Sequence, residues 1–99
     1  MEIDKVISAL NSQLRMDILK VLVTTPKTVS EVLEDLRKKG IDITYRETAY
    51  RAIEKLVDSG LAQKFYEKQK GICYRLSTRQ IEIKIDNDSI TIILLDSED

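Results

Sequence analysis

Arg46, Tyr50 and Arg51 lie within six residues of one another, so a helix through them carries two guanidinium groups and a phenol on adjacent turns. A guanidinium donates bidentately to guanine in a major groove about 12 Å wide, and a phenol bonds a phosphate or touches a thymine methyl. Thr44 precedes them, where the positive end of a helix lies near backbone phosphates. Further along, residues 61–79 hold Lys64, Lys68, Lys70, Arg75 and Arg79 against Glu67 alone. That is a local basic patch suited to a polyanion.

Other chemistries are poorly supplied. The chain has no histidine, which removes the commonest general base, the commonest metal ligand and any histidine-dependent triad. Cys73 is the single cysteine, too few for an internal disulfide or a thiolate metal site, and reads as a small apolar residue. Asp86 and Asp88 sit in Asp86-Asn87-Asp88-Ser89, which reads as a turn. No catalytic residue, metal or cofactor is expected, and a small binding module is the leading class. The longest apolar runs are four residues, such as 92–95, so no membrane span is expected. The amino terminus lacks the pattern of a secretory signal, which points to a cytoplasmic protein. High Ile, Lys and Glu content hints at a heat-adapted source.

The elements that must position the cations are legible from periodicity. Ile3, Val6, Ile7 and Leu10 form one apolar stripe, and Ser12 caps a second helix carrying Leu14, Ile18, Val21 and Leu22. Thr25-Pro26 ends that helix. Thr28 and Glu31 make a capping box ahead of Val29, Val32, Leu33 and Leu36, and Gly40 stops the third helix. Thr44 and Glu47 predict a second capping box, followed by Ala49, Ala52, Ile53 and Leu56 on the inner face of a fourth helix. After Gly60 the pattern alternates. Residues 61–67 and 72–77 read as strands joined by Lys68-Gln69-Lys70-Gly71. Ile81, Ile83 and Ile85 mark a half-buried strand, and residues 90–95 a last one, before a polar tail from Asp96 to Asp99 expected to fray. The expected class is α+β: four helices, a wing hairpin and an additional carboxy-terminal β-hairpin.

Two capped helices separated by residues 40–43, followed directly by a basic hairpin, form the winged helix-turn-helix pattern. The sequence resembles transcription regulators of the ArsR and PadR type over roughly residues 4–79. The matching stretches are residues 12–19, SQLRMDIL, and residues 48–61, TAYRAIEKLVDSGL. The first is similar to the opening of their first long helix, the second to their recognition helix and the glycine-leucine that begins the wing. The resemblance implies double-stranded DNA as partner, with Thr44, Arg46, Tyr50, Arg51, Lys64, Lys68, Lys70 and Arg75 at the interface. Two departures stand out: the third helix has no cysteine or histidine for a metal, and a hairpin follows the wing where family members often carry a dimerisation helix.

An opposing reading remains open at this level. Glu47 and Glu54 share the outward face of the fourth helix, and Arg51 can pair with either, or Arg46 with Asp42. A neutral recognition helix suits a winged-helix protein–protein interaction module in a transcription or chromatin complex. Tyr45 and Tyr74 are expected to pack in the core or hairpin. Charge also divides the chain: residues 1–79 carry 15 Lys/Arg against 11 Asp/Glu, whereas residues 80–99 carry Lys84 against six acids. This suggests a DNA-binding domain at 1–79 and a hairpin extension with an acidic tail at 80–99. Because residues 92–95 are apolar on both strand faces, the extension and the first helix are expected to form a homodimer.

Overall fold

The structure, a computed structural model, describes residues 3–96. Its elements are α1 (Ile3–Leu10), α2 (Gln13–Val21), α3 (Val29–Lys38), α4 (Arg46–Asp58), β1 (Ala62–Glu67), β2 (Gly71–Leu76), β3 (Gln80–Ile85) and β4 (Ile90–Leu95). Of the tail expected to fray from Asp96 to Asp99, residues 97–99 lie outside the described residues, as does the side chain of Ile3.

Local signals account for most helix ends. Ser12 accepts from the Arg15 amide at the start of α2. The Arg15 guanidinium turns back to donate to the Ala9 and Ser8 carbonyls at the end of α1, at 2.8 and 2.9 Å. This satisfies carbonyls left open by the helix terminus. The Thr28–Glu31 capping box forms in both directions, at 2.9 and 3.1 Å. Helices α3 and α4 end alike. Gly40 and Gly60 take φ of 86° and 89°, their amides donate to Arg37 and Val57, and the next amides, of Ile41 and Leu61, reach Leu36 and Leu56. These are Schellman caps, in which glycine supplies the left-handed residue and the following apolar side chain packs inward.

Thr44 does not cap α4. The helix begins at Arg46 with Tyr45 in the capping position, and no side chain caps it; the Glu47 carboxylate instead bonds the Arg51 guanidinium. Ile41 and Ile43 pack against the core, and the chain stays non-helical through Tyr45, which shifts the helix start past the reach of the threonine. Tyr45 also departs from expectation: it is 71% exposed, whereas Tyr74 is buried at 1%.

The core gathers one stripe from each helix: Val6 and Ala9 of α1, Ile18, Val21 and Leu22 at α2, Val29, Val32 and Leu36 of α3, and Ala49, Ala52, Ile53 and Leu56 of α4. Ile7 falls off the α1 stripe and is half exposed, since the inward direction runs through Val6 and Ala9. The wing pairs β1 with β2 antiparallel from Ala62↔Leu76 to Glu67↔Gly71. The Lys70 amide donates to the Glu67 carbonyl, and Gly71 has φ 89°, the three-residue hairpin in which glycine takes the left-handed position. Lys27, just before α3, bridges to Tyr74 of β2 through two backbone hydrogen bonds of 2.8 and 2.9 Å. Ser77 and Thr78 hydroxyls both donate to the Gly60 carbonyl and tie the end of the wing to the start.

The second hairpin is a separate sheet, β3 with β4, in register from Gln80↔Leu95 to Ile85↔Ile90. Only its base meets the core, through Ile81, Ile92 and Leu94. The expected half-burial of β3 holds at Ile81 alone; Ile83 and Ile85 are exposed because no helix extends beneath the outer half.

Candidate nucleic-acid interface

Helices α3 and α4 pack together across the connection at 39–45, and the wing lies beside α4. Between the amino ends of α3 and α4 and the inner face of the wing lies an open groove of about 550 Å³. Arg46, Lys64 and Lys70 stand around it, over a surface of Tyr50, Tyr66, Ile72 and Tyr74. Strand alternation explains most of the selection, since Lys64 opposes Tyr74 and Tyr66 opposes Ile72 across the hairpin, and opposed residues share a face; Phe65, on the other face, also lines the groove.

Each expected contact residue has a definite place. Arg46 is exposed at the first position of α4, and Tyr50, one turn later, is 38% exposed. Arg51 is exposed, with its Nε donating to Glu47 Oε2 at 3.2 Å. Thr44 is exposed in the connection and lines no part of the groove. Lys68 is exposed in the wing turn. Arg75 points to the opposite face of the wing, where its Nε donates to Gln63 at 3.1 Å and its guanidinium lies 4.7 Å from the Phe65 ring centre. Arg46, Tyr50, Lys64 and Lys70 are thus brought together, while Thr44, Arg51, Lys68 and Arg75 are not part of the groove.

Two of the four are held by carboxylates. Lys64 Nζ lies 3.0 and 3.2 Å from the Glu54 oxygens, and the buried Tyr74 hydroxyl donates to Glu54 Oε2 at 2.8 Å. Lys70 Nζ lies 2.9 Å from Glu31 Oε2, while the other oxygen of Glu31 accepts from the Thr28 amide. The wing is therefore latched to α4 through Glu54 and to α3 through Glu31. The titration of these groups follows. The Thr28 amide, and then Lys70, hold Glu31 below the ordinary carboxylate value. Partial burial pushes Glu54 up, but Tyr74 and Lys64 outweigh it and leave the pKa lowered. Burial and the Glu54 carboxylate raise the Tyr74 phenol well above its ordinary value, so it remains a donor.

Sequence reading alone missed this latch. Its signals were present as separate acids, but Glu31 is 39 residues from Lys70, and Glu54 is 20 from Tyr74. It also missed the exposed Tyr66 beside the cations, and placed Tyr45 in the core or hairpin where the structure exposes it. Cys73 is buried, and no cluster of potential metal ligands occurs among the described residues. No helix among them is long and apolar enough to cross a membrane.

No protein-family model matches the chain, and no curated protein matches it. Among solved structures, the fold is similar to the Vibrio cholerae ferric uptake regulator, in a crystal structure that reveals rearrangement of that protein's DNA-binding domains. The TM-score is 0.58 at 20% identity, over 88% of this chain and 69% of that one. The ferric uptake regulator from Francisella tularensis with iron is similar at a TM-score of 0.57 and 19% identity, over 85% and 67% of the two chains. Neither is an ArsR- or PadR-type regulator, so the likeness carries the winged-helix plan without that subtype. Four helices followed by antiparallel hairpins make this chain a small α+β protein of winged-helix fold.

Proposed function

We propose that the protein is a sequence-specific transcription regulator that binds double-stranded DNA, with α4 in the major groove and the wing against the neighbouring backbone and minor groove. The observation that carries this reading is the groove in which Arg46, Lys64 and Lys70 converge beside the exposed first turns of α4. Arg46 and Arg51 read base edges, Tyr50 contacts a phosphate or a thymine methyl, and Lys64, Lys68 and Lys70 meet phosphates. Thr44 and Arg75 contribute at the margins, through the approach to α4 and the outer face of the wing. Residues 1–79 form the DNA-binding unit, and residues 80–99 an extension that joins two copies. The ArsR- and PadR-like stretches at 12–19 and 48–61 support a regulator of that broad type.

A second reading, a protein-interaction module, is favoured by one observation. Glu31, Glu47 and Glu54 neutralise Lys70, Arg51 and Lys64 on the face that would approach DNA. A salt titration of binding to random and genomic DNA fragments separates the two. Each phosphate contact adds about 0.9 to the slope of log affinity against log salt, so replacing Lys68 and Lys70 by alanine lowers it by up to about 2. Arg51→Ala relaxes preference at one base pair by about tenfold. Binding that is absent, or indifferent to salt and to all three changes, transfers the assignment to the protein-interaction reading.

A further inference from the structure

Away from the nucleic-acid face, exposed apolar surface concentrates on the outer half of the β3–β4 hairpin. Ile83, Ile85 and Ile90 are 56%, 74% and 56% exposed. Ile81 and Ile92 belong to the same sheet face, because Ile81 opposes Leu94, Ile83 opposes Ile92 and Ile85 opposes Ile90. The face is apolar from base to tip, covered at the base and bare at the tip. The tip ends in Asp86 and Asp88. Asp86 Oδ1 accepts from the Asp88 and Ser89 amides at 2.9 and 3.0 Å, which fixes the turn and leaves Asp88 exposed beside the isoleucines.

At the base of the same hairpin lies a groove of about 430 Å³ with apolar walls that include Leu19, Val23, Leu76 and Ile81. Lys20 and Arg79 also line it, both exposed. An apolar tip bearing acids and an apolar groove bearing cations thus sit at opposite ends of one strand. Ile81 and Ile85 are four residues apart, about 13 Å along a strand, so a tip cannot fold onto its own groove. A second copy can reach it.

We propose that a second copy of this chain packs hairpin face to hairpin face about a twofold axis near Ile83. Each tip enters the partner's basal groove, with Ile85 and Ile90 against its apolar walls and Asp88 beside the partner's Lys20. Size favours this arrangement over simple stacking of hairpins. Six-residue strands give a face roughly 20 Å long and 10 Å wide. That falls well short of the roughly 800 Å² per partner of a standard interface, so the groove must be engaged as well. The twofold makes the contact self-complementary and closes the assembly at two. It rests on the reading of the chain as a homodimer and gives the hairpin the partner's basal groove, in place of the first helix, as the surface it meets.

The test is a charge exchange on the full chain, followed by light scattering and sedimentation at micromolar concentration. Lys20→Asp and Asp88→Lys each place like charges at both contacts, and each weakens the dimer at least tenfold. Mixing the two variants in equal amounts restores a dimer, because in the heterodimer both contacts again join opposite charges; the double variant restores it too. Circular dichroism of each variant establishes that the exposed substitutions leave the fold intact, and Ile85→Lys gives a second disruption if one does not fold. A wild-type chain that stays monomeric overturns the homodimer reading itself. A wild-type dimer unaffected by the single changes, or weakened without rescue on mixing, overturns only the tip-in-groove assignment.

Discussion

Glu31 and Glu54 decide how much positive charge the wing can offer. Both are titrated below the usual carboxylate value, Glu31 by the Thr28 amide and then Lys70, Glu54 by Tyr74 and Lys64 against the opposing effect of burial. A depressed folded-state pKa means the stabilisation is fully present above the ordinary value of 4.5 and is lost as pH falls through the lower folded value. Urea denaturation between about pH 7 and pH 3 is therefore expected to show a falling acid limb that Glu31→Gln and Glu54→Gln flatten. The same changes separate structure from binding. Glutamine keeps the capping box at Glu31 but releases Lys70, so Glu31→Gln steepens the salt slope of DNA binding by up to about 0.9. An unchanged slope would mean that the Glu31 pair does not keep Lys70 from a phosphate in the wild type, and the alanine variant of Lys70 then decides whether it meets one.

Helix starts and ends differ in how local they are. The start of α3 is made by its own residues, Thr28 and Glu31, in a reciprocal pair. The start of α4 has no such pair, although Thr44 and Glu47 have the same spacing. Thr28→Ala is therefore expected to lower stability by about 1 kcal/mol, the usual effect of losing a side-chain cap. Thr44→Ala is expected to stay within about 0.5 kcal/mol, as for an exposed residue without a special contact. Chemical denaturation of both variants at neutral pH checks the contrast. Equal losses would show that Thr44 caps α4 after all. The difference bears on the site, because the first turn of α4, which carries Arg46, has no side-chain cap on its amides.

The whole molecule is elongated, 47 by 28 by 19 Å, with a radius of gyration of 14.3 Å against about 13 Å for a compact chain of this size. The excess comes with a hairpin whose base is in the core and whose outer half is not. Its two ends should respond differently to truncation. Ile92→Ala removes a side chain 8% exposed and is expected to cost about 2–5 kcal/mol in unfolding free energy. Ile85→Ala, at a position 74% exposed, leaves the fold nearly unchanged and weakens self-association instead. Thermal unfolding read against protein concentration distinguishes them, since a dimer contact makes the midpoint concentration-dependent. A twofold dimer also presents two copies of α4, so footprinting is expected to find paired half-sites about 34–36 Å apart or at multiples of that spacing. A single unpaired half-site protected at saturating protein would contradict this.

Much of the fold was legible from residues 12–76 because its signals are local. A helix stripe needs only the 3.6-residue period, a capping box only three residues, and a glycine stop only the left-handed conformation at Gly40 and Gly60. The inner face of α4, the wing and the turn at 68–71 followed from those rules, and the sequence by itself determined the winged-helix order. What it could not determine depends on which surface lies opposite. Ile7 and Ile83 occupy apolar stripe positions yet are exposed, because nothing in their periodicity says where the core ends. Thr44 has the spacing of a cap but not its geometry, because the packing of Ile41 and Ile43 sets where α4 begins. The candidate cations were named by type, but only the tertiary structure turned Arg75 to the outer face of the wing and placed Lys64 and Lys70 beside Glu54 and Glu31. Those pairings join residues 10 and 39 positions apart. Charge acts through space, so a count along the chain finds a basic wing while the fold decides how much of that charge is already neutralised.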